Sequence, residues 1–221
     1  IKLLVNYTRR YDAFYRKVKD NMQSLLGEIK AVTCYYSGGI TTSGSHMLDL
    51  LNFFFGECAR VRGRESAGEI TGVLEFRKCG EVHLVPVSAK NYSIFEIDIL
   101  GENGRLNIYS KPFNEYEYQY FILQKSGKIN AQFISTKEKA PFPRNIKRNY
   151  METALSDILN SIEKNCAPFS SGETALRSLE ILSALVYSAK NSGKVISIPF
   201  AKVNIRIPQA KGDLKKWQKK N

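Results

Sequence analysis

The residues Tyr92-Ser-Ile-Phe-Glu-Ile-Asp-Ile-Leu-Gly-Glu-Asn-Gly-Arg-Leu-Asn-Ile-Tyr109 decide the fold class of this chain. Every second residue from Ser93 to Ile99 belongs to a mostly apolar set, and the residues between them mix polar and apolar types. This two-residue period predicts a strand with one buried face and one partly wet face. Gly101-Glu-Asn-Gly104 is a turn signal, and a second strand follows it. The stretch therefore predicts two consecutive strands joined by a tight turn.

Strand-like runs continue in both directions from this pair. The central series of predicted strands is Arg60–Glu65, Ile70–Arg77, Glu81–Ala89, Tyr92–Leu100, Arg105–Tyr109, Tyr116–Gln124 and Ile129–Ile134. Further strands are predicted over Lys2–Tyr7, Ile29–Tyr36 and Val195–Pro199, the first of them buried. Pro86 lacks a backbone donor and therefore indicates a bulge or an edge in its strand.

Helical patterns flank the strand series on both sides. The first helix is capped by Asp12 and stopped by Gly27, and the second runs from Ser43 or Ser45 to Phe55. Ile146–Glu163 is amphipathic, and the capping-box pattern Ser170-Ser-Gly-Glu173 opens a last helix that ends near Asn191. The residues of the last helix that we expect to face inward are Leu176, Leu179, Leu182, Leu185 and Val186.

Runs of strands followed by runs of helices indicate an α+β domain. We predict one broad, mostly antiparallel open sheet with helices packed on one face. The other face then needs water, a second subunit or another domain against it.

Composition narrows the class of protein. The 221 residues carry a formal charge of +12, of which the Lys-rich segment from Lys211 to Asn221 contributes +4 (five Lys and one Asp). This surplus can attract anionic partners, but no nucleic-acid motif accompanies it, so nucleic-acid binding is not favoured. No apolar run approaches the roughly 20 residues of a membrane helix. The four cysteines are scattered without metal-type spacing, which predicts reduced thiols, no metal site and a cytoplasmic location.

The chemistry-bearing stretch is Ser37-Gly-Gly-Ile-Thr-Thr-Ser-Gly-Ser-His-Met-Leu-Asp-Leu50. Its glycine-rich turn brings one of only two histidines, His46, to the start of an apolar helix, where backbone N–H groups can meet a hydroxylated or anionic ligand. A histidine there is suited to proton transfer. The alternative is a histidine that only caps or packs at the helix end.

Several segments in order resemble the C-terminal domain of the glucose–fructose oxidoreductase/inositol dehydrogenase (Gfo/Idh/MocA) family. They are Leu4–Tyr11 with its Arg-Arg pair, the Gly-Gly…Gly-x-His-x-x-Asp…Gly segment from Gly38 to Gly56, the hairpin Ile97–Ile108, and Ala175–Pro199. The resemblance covers nearly the whole chain. It implies the open-sheet fold of the glyceraldehyde-3-phosphate-dehydrogenase C-terminal domain. It also implies residues 1–10 as a linking strand from a dinucleotide-binding domain, 11–208 as a substrate-binding and oligomerisation domain, and 209–221 as a Lys-rich tail.

The resemblance also implies a function. The whole protein would be an NAD(P)-dependent oxidoreductase acting on a hydroxyl of a sugar, polyol or sugar nucleotide, and it would form a homo-oligomer through the open sheet face. NAD or NADP would bind mainly to the dinucleotide-binding half, because no strand–Gly-x-Gly-x-x-Gly–helix pattern occurs in these residues. This chain alone is expected to be inactive.

By the resemblance, His46 is the catalytic residue. Thr42 stands where many members carry Asp or Asn; its hydroxyl can bind a sugar but cannot act as a base. The other substrate-binding candidates are Asp49, Tyr36, Arg10 and Arg148.

Each candidate has an alternative. Asp49 either orients the site or pairs with Arg9 or Arg10, and a structural role is favoured two to one in rough terms by the usual place of carboxylates near helix starts. Tyr36 either stacks on a sugar or packs in the core. His83 alternates with apolar residues in a strand and is interpreted as structural.

Two other function classes remain open. A non-catalytic interaction module that kept the fold would account for Thr42 and for the missing dinucleotide motif. A basic surface that binds nucleic acid or membrane would rest on charge alone.

Overall fold

A computed structural model describes residues 1–66, 68–88, 93–111, 115–126, 130–135, 142, 149–200, 205 and 207. Its strands are β1 (Ile29–Tyr36), β2 (Cys58–Ser66), β3 (Glu69–Phe76), β4 (Gly80–Pro86), β5 (Phe95–Gly101), β6 (Gly104–Lys111), β7 (Glu115–Ser126), β8 (Asn130–Ser135) and β9 (Ile196–Ser197). Its α-helices are α1 (Ala13–Leu26), α2 (Ser45–Phe55), α3 (Tyr150–Glu163) and α4 (Gly172–Lys190). A 3₁₀ helix at Thr8–Tyr11 precedes α1, and a π-helical turn at Ile40–Gly44 precedes α2.

The nine strands form one open sheet in the order β8-β7-β6-β5-β1-β4-β3-β2-β9. Among the described strands, β1 and β4 form the one parallel pair, and all other pairs are antiparallel. The parallel pair arises because α2 crosses over after β1, and the β2–β3–β4 meander then returns to the edge of β1. The predicted α+β class with a mostly antiparallel sheet is therefore confirmed.

One face of the sheet carries the core. Val32 and Cys34 on β1 are fully buried beneath the helices, whereas Thr33 between them faces the other side and is half-buried. The pattern continues through β3, where every second residue from Ile70 to Phe76 is buried. Helices thus cover one face, and the described residues leave the other face open.

Two glycines let helices approach the strands closely. A Cβ atom on Gly63 of β2 would lie 2.3 Å from the backbone oxygen of Leu185 in α4. A Cβ on Gly101, at the end of β5, would lie 2.3 Å from the backbone oxygen of Leu26 in α1. Distances this short are overlaps, so the spacing of α4 from β2 and of α1 from β5 depends on the absence of a side chain.

The helix ends follow the sequence signals with one shift. Asp12 caps α1 by accepting a hydrogen bond from Phe14 N at 2.9 Å, and Gly27 ends the helix with φ 70°. The capping residue of α4 is Ser171, which accepts from Thr174 N, and not the predicted Ser170. Ser170 is instead fully buried, and its hydroxyl is satisfied because it donates to the carbonyl of Val5 at 2.7 Å.

The predicted buried strand over Lys2–Tyr7 is wrong. This segment makes a single bridge, between Leu4 and Ser171, and Leu3 is 60% exposed. Its apolar residues suit a strand, but the described part of the chain offers it only one short segment for pairing, so no ladder extends from the bridge.

Part of the predicted inward face of the last helix is also wrong. Leu182, Leu185 and Val186 of α4 are buried, but Leu176 and Leu179 are exposed. Sequence periodicity marks an apolar stripe, but it does not show how far along the helix a partner extends. The helix α3 begins at Tyr150, and the predicted start at Ile146 lies outside the described residues.

No helix among the described residues is long and apolar enough to cross a membrane. Within the same residues, no group of three or more His, Cys, Asp or Glu side chains is arranged to hold a metal ion.

Candidate functional site

The glycine-rich loop between β1 and α2 is anchored at its first residue. Ser37 N donates to the carbonyl of Ile94 at 3.0 Å, and Ile94 N donates to the Ser37 hydroxyl at 3.0 Å. Gly38 and Gly39 then adopt φ values of 91° and 86°, in the left-handed region that other residues rarely occupy. This reversal directs the chain into the π-helical turn and places Ser45 at the start of α2.

His46 lies in the first turn of α2, as predicted, and is half-buried. Its ring meets the ring of Tyr7 edge-on, with centroids 5.3 Å apart and an interplanar angle of 89°. Its Nδ1 atom is buried without a hydrogen-bond partner among the described residues. An imidazolium needs an acceptor at both ring nitrogens, so the unpartnered Nδ1 favours the neutral form.

The electrostatic environment of His46 also favours the neutral imidazole. Burial lowers the pKa of His46 below its usual value, and the positive charge of Arg9 lowers it further. A histidine with a lowered pKa is neutral at physiological pH and can accept a proton there.

Asp49 and Arg10 form a buried ion pair one helical turn after His46. Arg10 Nε donates to the two carboxylate oxygens of Asp49 at 3.0 and 2.8 Å, and a terminal guanidinium nitrogen donates to Oδ1 at 2.8 Å. The two residues are 6% and 1% exposed. Burial raises the pKa of Asp49, and the hydrogen bonds from Arg10 and Ser178 oppose that rise.

The structure thus decides between the alternatives that the sequence left open for Asp49. Its partner is Arg10, and the pair ties the 3₁₀ helix to α2. The polar atoms of Arg10 and Asp49 face each other and almost no surface of either remains exposed, which favours the structural alternative; their role in substrate binding stays a prediction.

Thr42 lies in the π-helical turn and is half-buried. Its hydroxyl lies within hydrogen-bonding distance of the carbonyl oxygens of Gly38 and Gly39, 3.3 Å in the latter case. Its proton is therefore directed into the loop, and its oxygen lone pairs remain for a donor from a ligand.

Tyr36 is a core residue. It is fully buried at the end of β1, and its hydroxyl donates to the carbonyl of Ile70 at 3.2 Å. The ring has no exposed surface, which favours the alternative that Tyr36 packs in the core; its role in substrate binding stays a prediction. Arg148 lies outside the described residues.

His83, interpreted as structural, is on the open face of β4. Its imidazole is 48% exposed and lies 3.8 Å from a carboxylate oxygen of Glu81. It pairs in register with Thr33 of β1, on the side of the sheet away from the core. The two histidines of the chain therefore occupy different environments.

Two neighbours of His46 were missed as site residues. Tyr7 contacts the imidazole edge-on. It was not predicted because Lys2–Tyr7 was interpreted as a buried strand, which gave Tyr7 no place beside His46. Arg9 was considered only as an ion-pair partner; its guanidinium lies 3.7 Å from the centroid of the Phe95 ring. The Arg-Arg pair itself was the signal, because two adjacent arginines in a short helix point to different sides.

The open sheet, the helices on one face and the glycine-rich loop before α2 belong to a C-terminal domain of an oxidoreductase family. The family described as "Oxidoreductase family, C-terminal alpha/beta domain" (GFO_IDH_MocA_C) matches residues 35–197. The chain therefore belongs to the Gfo/Idh/MocA oxidoreductase family, and the resemblance noted from sequence is confirmed.

Solved structures agree on the fold. The WlbA dehydrogenase from Bordetella pertussis, in complex with NADH and UDP-GlcNAcA, is 20% identical with a TM-score of 0.68, and the match covers 90% of this chain and 65% of that one. The aldose-aldose oxidoreductase from Caulobacter crescentus, complexed with glycerol, is 16% identical with a TM-score of 0.66, covering 89% and 64%. This chain spans about two thirds of the length of these proteins.

A curated relative is much shorter. An uncharacterized protein of Haemophilus influenzae is 27% identical over 97 residues, which cover 44% of this chain and 92% of that protein.

Proposed function

We propose that this chain is the substrate-binding and oligomerisation domain of an NAD(P)-dependent oxidoreductase that acts on a hydroxyl of a sugar, polyol or sugar nucleotide. The observation that carries the proposal is His46, a half-buried imidazole at the start of α2 with a lowered pKa and an unpartnered buried nitrogen. Membership of an oxidoreductase family and the neighbours with NADH and sugar-type ligands support it.

The part of this chain in the reaction is proton transfer. Oxidation of an alcohol breaks a C–H and an O–H bond, so a hydride and a proton must both leave. The His46 ring takes the proton at Nε2, because Nδ1 is buried. Thr42 can accept a hydrogen bond from a neighbouring hydroxyl of the substrate, and the buried Arg10–Asp49 pair fixes the helix that carries the imidazole.

The Gly101-x-x-Gly104 turn does not fit a dinucleotide. Gly101 and Gly104 border a hairpin turn in which Asn103 N donates to the carbonyl of Leu26 at 2.9 Å, and no helix follows that could receive a pyrophosphate. NAD or NADP is therefore assigned to a separate dinucleotide-binding domain.

We also propose a cytoplasmic location, because the described cysteines are free thiols.

The test of this function is His46→Gln in the full-length enzyme. Glutamine keeps a polar side chain of similar reach but cannot accept the proton. Removal of a general base costs about 10²- to 10⁴-fold in rate, so kcat should fall by this factor while KM changes little. His83→Gln is the matched control, because it removes the other histidine; since His83 lies on the open sheet face, light scattering must first show that this variant has the same size as wild type. Equal turnover of both variants and wild type would end the assignment.

The open sheet face is the proposed site of homo-oligomerisation. It presents half-buried polar and apolar residues in a row that the strand register defines, including Val73, Thr33, Asp98 and Asn107. A mixed row of this kind suits a subunit interface. Light scattering should show a dimer or larger species, and Thr33→Arg at the centre of the face should yield monomers. A wild-type monomer at high concentration would contradict this proposal.

A second candidate function is a non-catalytic interaction module. The observation that favours it is the Haemophilus influenzae relative, because the matched segment covers 92% of that protein and leaves no room for a dinucleotide-binding domain there. The two functions differ in one measurement. A module needs no base, so His46→Gln would leave its partner binding unchanged.

A further inference from the structure

The two adjacent arginines of the 3₁₀ helix have different electrostatic partners. Arg10 is neutralised by Asp49. Arg9 makes no ion pair with any carboxylate among the described residues; its guanidinium instead lies 3.7 Å from the centroid of the Phe95 ring. Stacking on an aromatic face fixes the plane of a guanidinium and leaves its edge donors available. Arg9 is therefore a positioned charge with no carboxylate partner in the part of the chain that the structure describes.

The position of Arg9 is beside the candidate site. Phe95 opens β5 and pairs in register with Tyr36, the last residue of β1 before the glycine-rich loop. The preceding residue, Ile94, is hydrogen-bonded to Ser37 at the base of the same loop. Arg9 thus stacks on β5 next to the end of β1, where the glycine-rich loop begins.

Arg9 is also close to His46. Tyr7, two residues earlier in the chain, contacts the imidazole ring edge-on. The charge of Arg9 is close enough to contribute to the lowered pKa of His46. Tyr7 and Arg9 of the 3₁₀-helix region are therefore both neighbours of His46.

We propose that the substrate carries an anionic group, a carboxylate or a phosphate, close to the reacting hydroxyl, and that Arg9 binds this group. The proposal rests on the proposed function, since it concerns the substrate of the same site. A planar guanidinium matches the two oxygens of a carboxylate or phosphate with two parallel hydrogen bonds. Arg9 is half-buried, so these bonds would form in a partly desolvated environment, where they are stronger than at the surface.

The proposal makes Arg9 a specificity-determining residue. A neutral sugar would leave its charge uncompensated, whereas a uronic acid or a sugar phosphate would neutralise it. Because charge-assisted hydrogen bonds are among the strong ones, the anionic sugar should bind about 10- to 100-fold more tightly than its neutral counterpart.

The two histidines provide a direct assay of ligand binding. Proton NMR of the 221-residue chain gives imidazole signals from His46 and His83 alone, and the His46→Gln variant assigns them. We would titrate with glucose, glucuronate, glucose 6-phosphate and inorganic phosphate. The His46 signal should respond to an anionic sugar at a concentration about 10- to 100-fold below that needed for glucose, while the His83 signal stays unchanged. The two anionic sugars distinguish a carboxylate from a phosphate.

Two variants test the role of Arg9. Arg9→Gln should abolish the preference for anionic sugars and leave the weak response to glucose intact. Arg9→Lys keeps the charge but not the planar fork, so it should retain part of the preference, and it replaces Arg9→Gln if that variant is unfolded. Arg62→Gln is the matched control, because it removes one positive charge from an exposed position on β2.

The remaining outcomes each overturn the proposal. If the His46 signal responds equally to both kinds of sugar in wild type and Arg9→Gln, Arg9 does not select the substrate, and the proposed function still stands. If inorganic phosphate alone reproduces the response, or if Arg62→Gln weakens binding as much as Arg9→Gln, the site holds an adventitious ion only. If no sugar shifts the His46 signal, both the proposal and the proposed function fail.

Discussion

Replacing Arg10 by Met should destabilise the protein strongly. The Asp49 side chain is 2% exposed, and without Arg10 its remaining side-chain donor among the described residues is Ser178, at 3.4 Å. Removing one partner of a buried ion pair typically costs about 3–5 kcal/mol, because the other charge stays buried without compensation. For a protein of this size, 1 kcal/mol corresponds to about 2–4 °C in Tm, so Arg10→Met should lower Tm by about 6–20 °C.

The matched control is the exposed pair between Arg60 and Glu75. Its shortest N–O distance is 2.6 Å, shorter than the 2.8 Å between Arg10 and Asp49, but the Arg60 side chain is 56% exposed. Exposed pairs contribute about 0–1 kcal/mol, so Arg60→Met should change the free energy of unfolding by no more than this. The comparison separates burial from distance as the source of the energy.

The pH dependence identifies the mechanism. In Arg10→Met, the isolated carboxyl of Asp49 has a pKa above its unfolded value, so the folded state binds the proton more tightly. The variant should therefore regain stability as pH falls through that raised pKa, and the double variant Arg10→Met/Asp49→Leu should show no such gain. Urea denaturation followed by circular dichroism at pH 5 and pH 8 measures both effects. A loss below about 1 kcal/mol in Arg10→Met at pH 8 would refute the reasoning.

The other predictions concern packing, protonation and cofactor binding. Gly63→Ala should cost about 1–3 kcal/mol, because the new methyl group would overlap the backbone of Leu185, whereas Arg62→Ala on the opposite face should change stability by at most about 0.5 kcal/mol in denaturant unfolding. Since the pKa of His46 is lowered on folding, the unfolded state binds its proton first; the free energy of unfolding should therefore fall as pH drops below about 6.5, and less so in His46→Gln. Calorimetry should detect no binding of NAD or NADP to this chain alone, and a micromolar Kd would contradict the assignment of the cofactor to a separate domain.

Much of the fold could be predicted because local signals and tertiary packing agree. The helix that follows Asp12 ends at Gly27, as its capping residues predict. The strands and α2 lie where the two-residue period of strands and the 3.6-residue period of helices predict them. The predictions failed where packing depends on a distant partner. Leu176 and Leu3 are apolar but exposed, because sequence shows which residues could be covered and not which residues the structure covers.

In the candidate site, too, features that depend on local sequence could be predicted and features that depend on distant contacts could not. The glycine-rich loop and the place of His46 at the start of α2 follow from sequence, because both depend on local backbone conformation. The identity of the partner of Asp49 does not, since 39 residues separate it from Arg10. Tyr36 also shows why a strand-end tyrosine is a weak candidate: the alternation along β1 directs it into the core.

The 3₁₀ helix determines which residues meet at the site. Three residues complete a turn of such a helix, so successive side chains point about 120° apart. Arg9 is directed towards β5, Arg10 towards α2, and Tyr11 towards α3, where its hydroxyl donates to Asp157 at 2.7 Å. One turn of helix therefore connects three elements that are distant in sequence. Because Arg10 binds Asp49 and is 6% exposed, the adjacent Arg9 is the arginine that we propose as the ligand-binding charge beside His46.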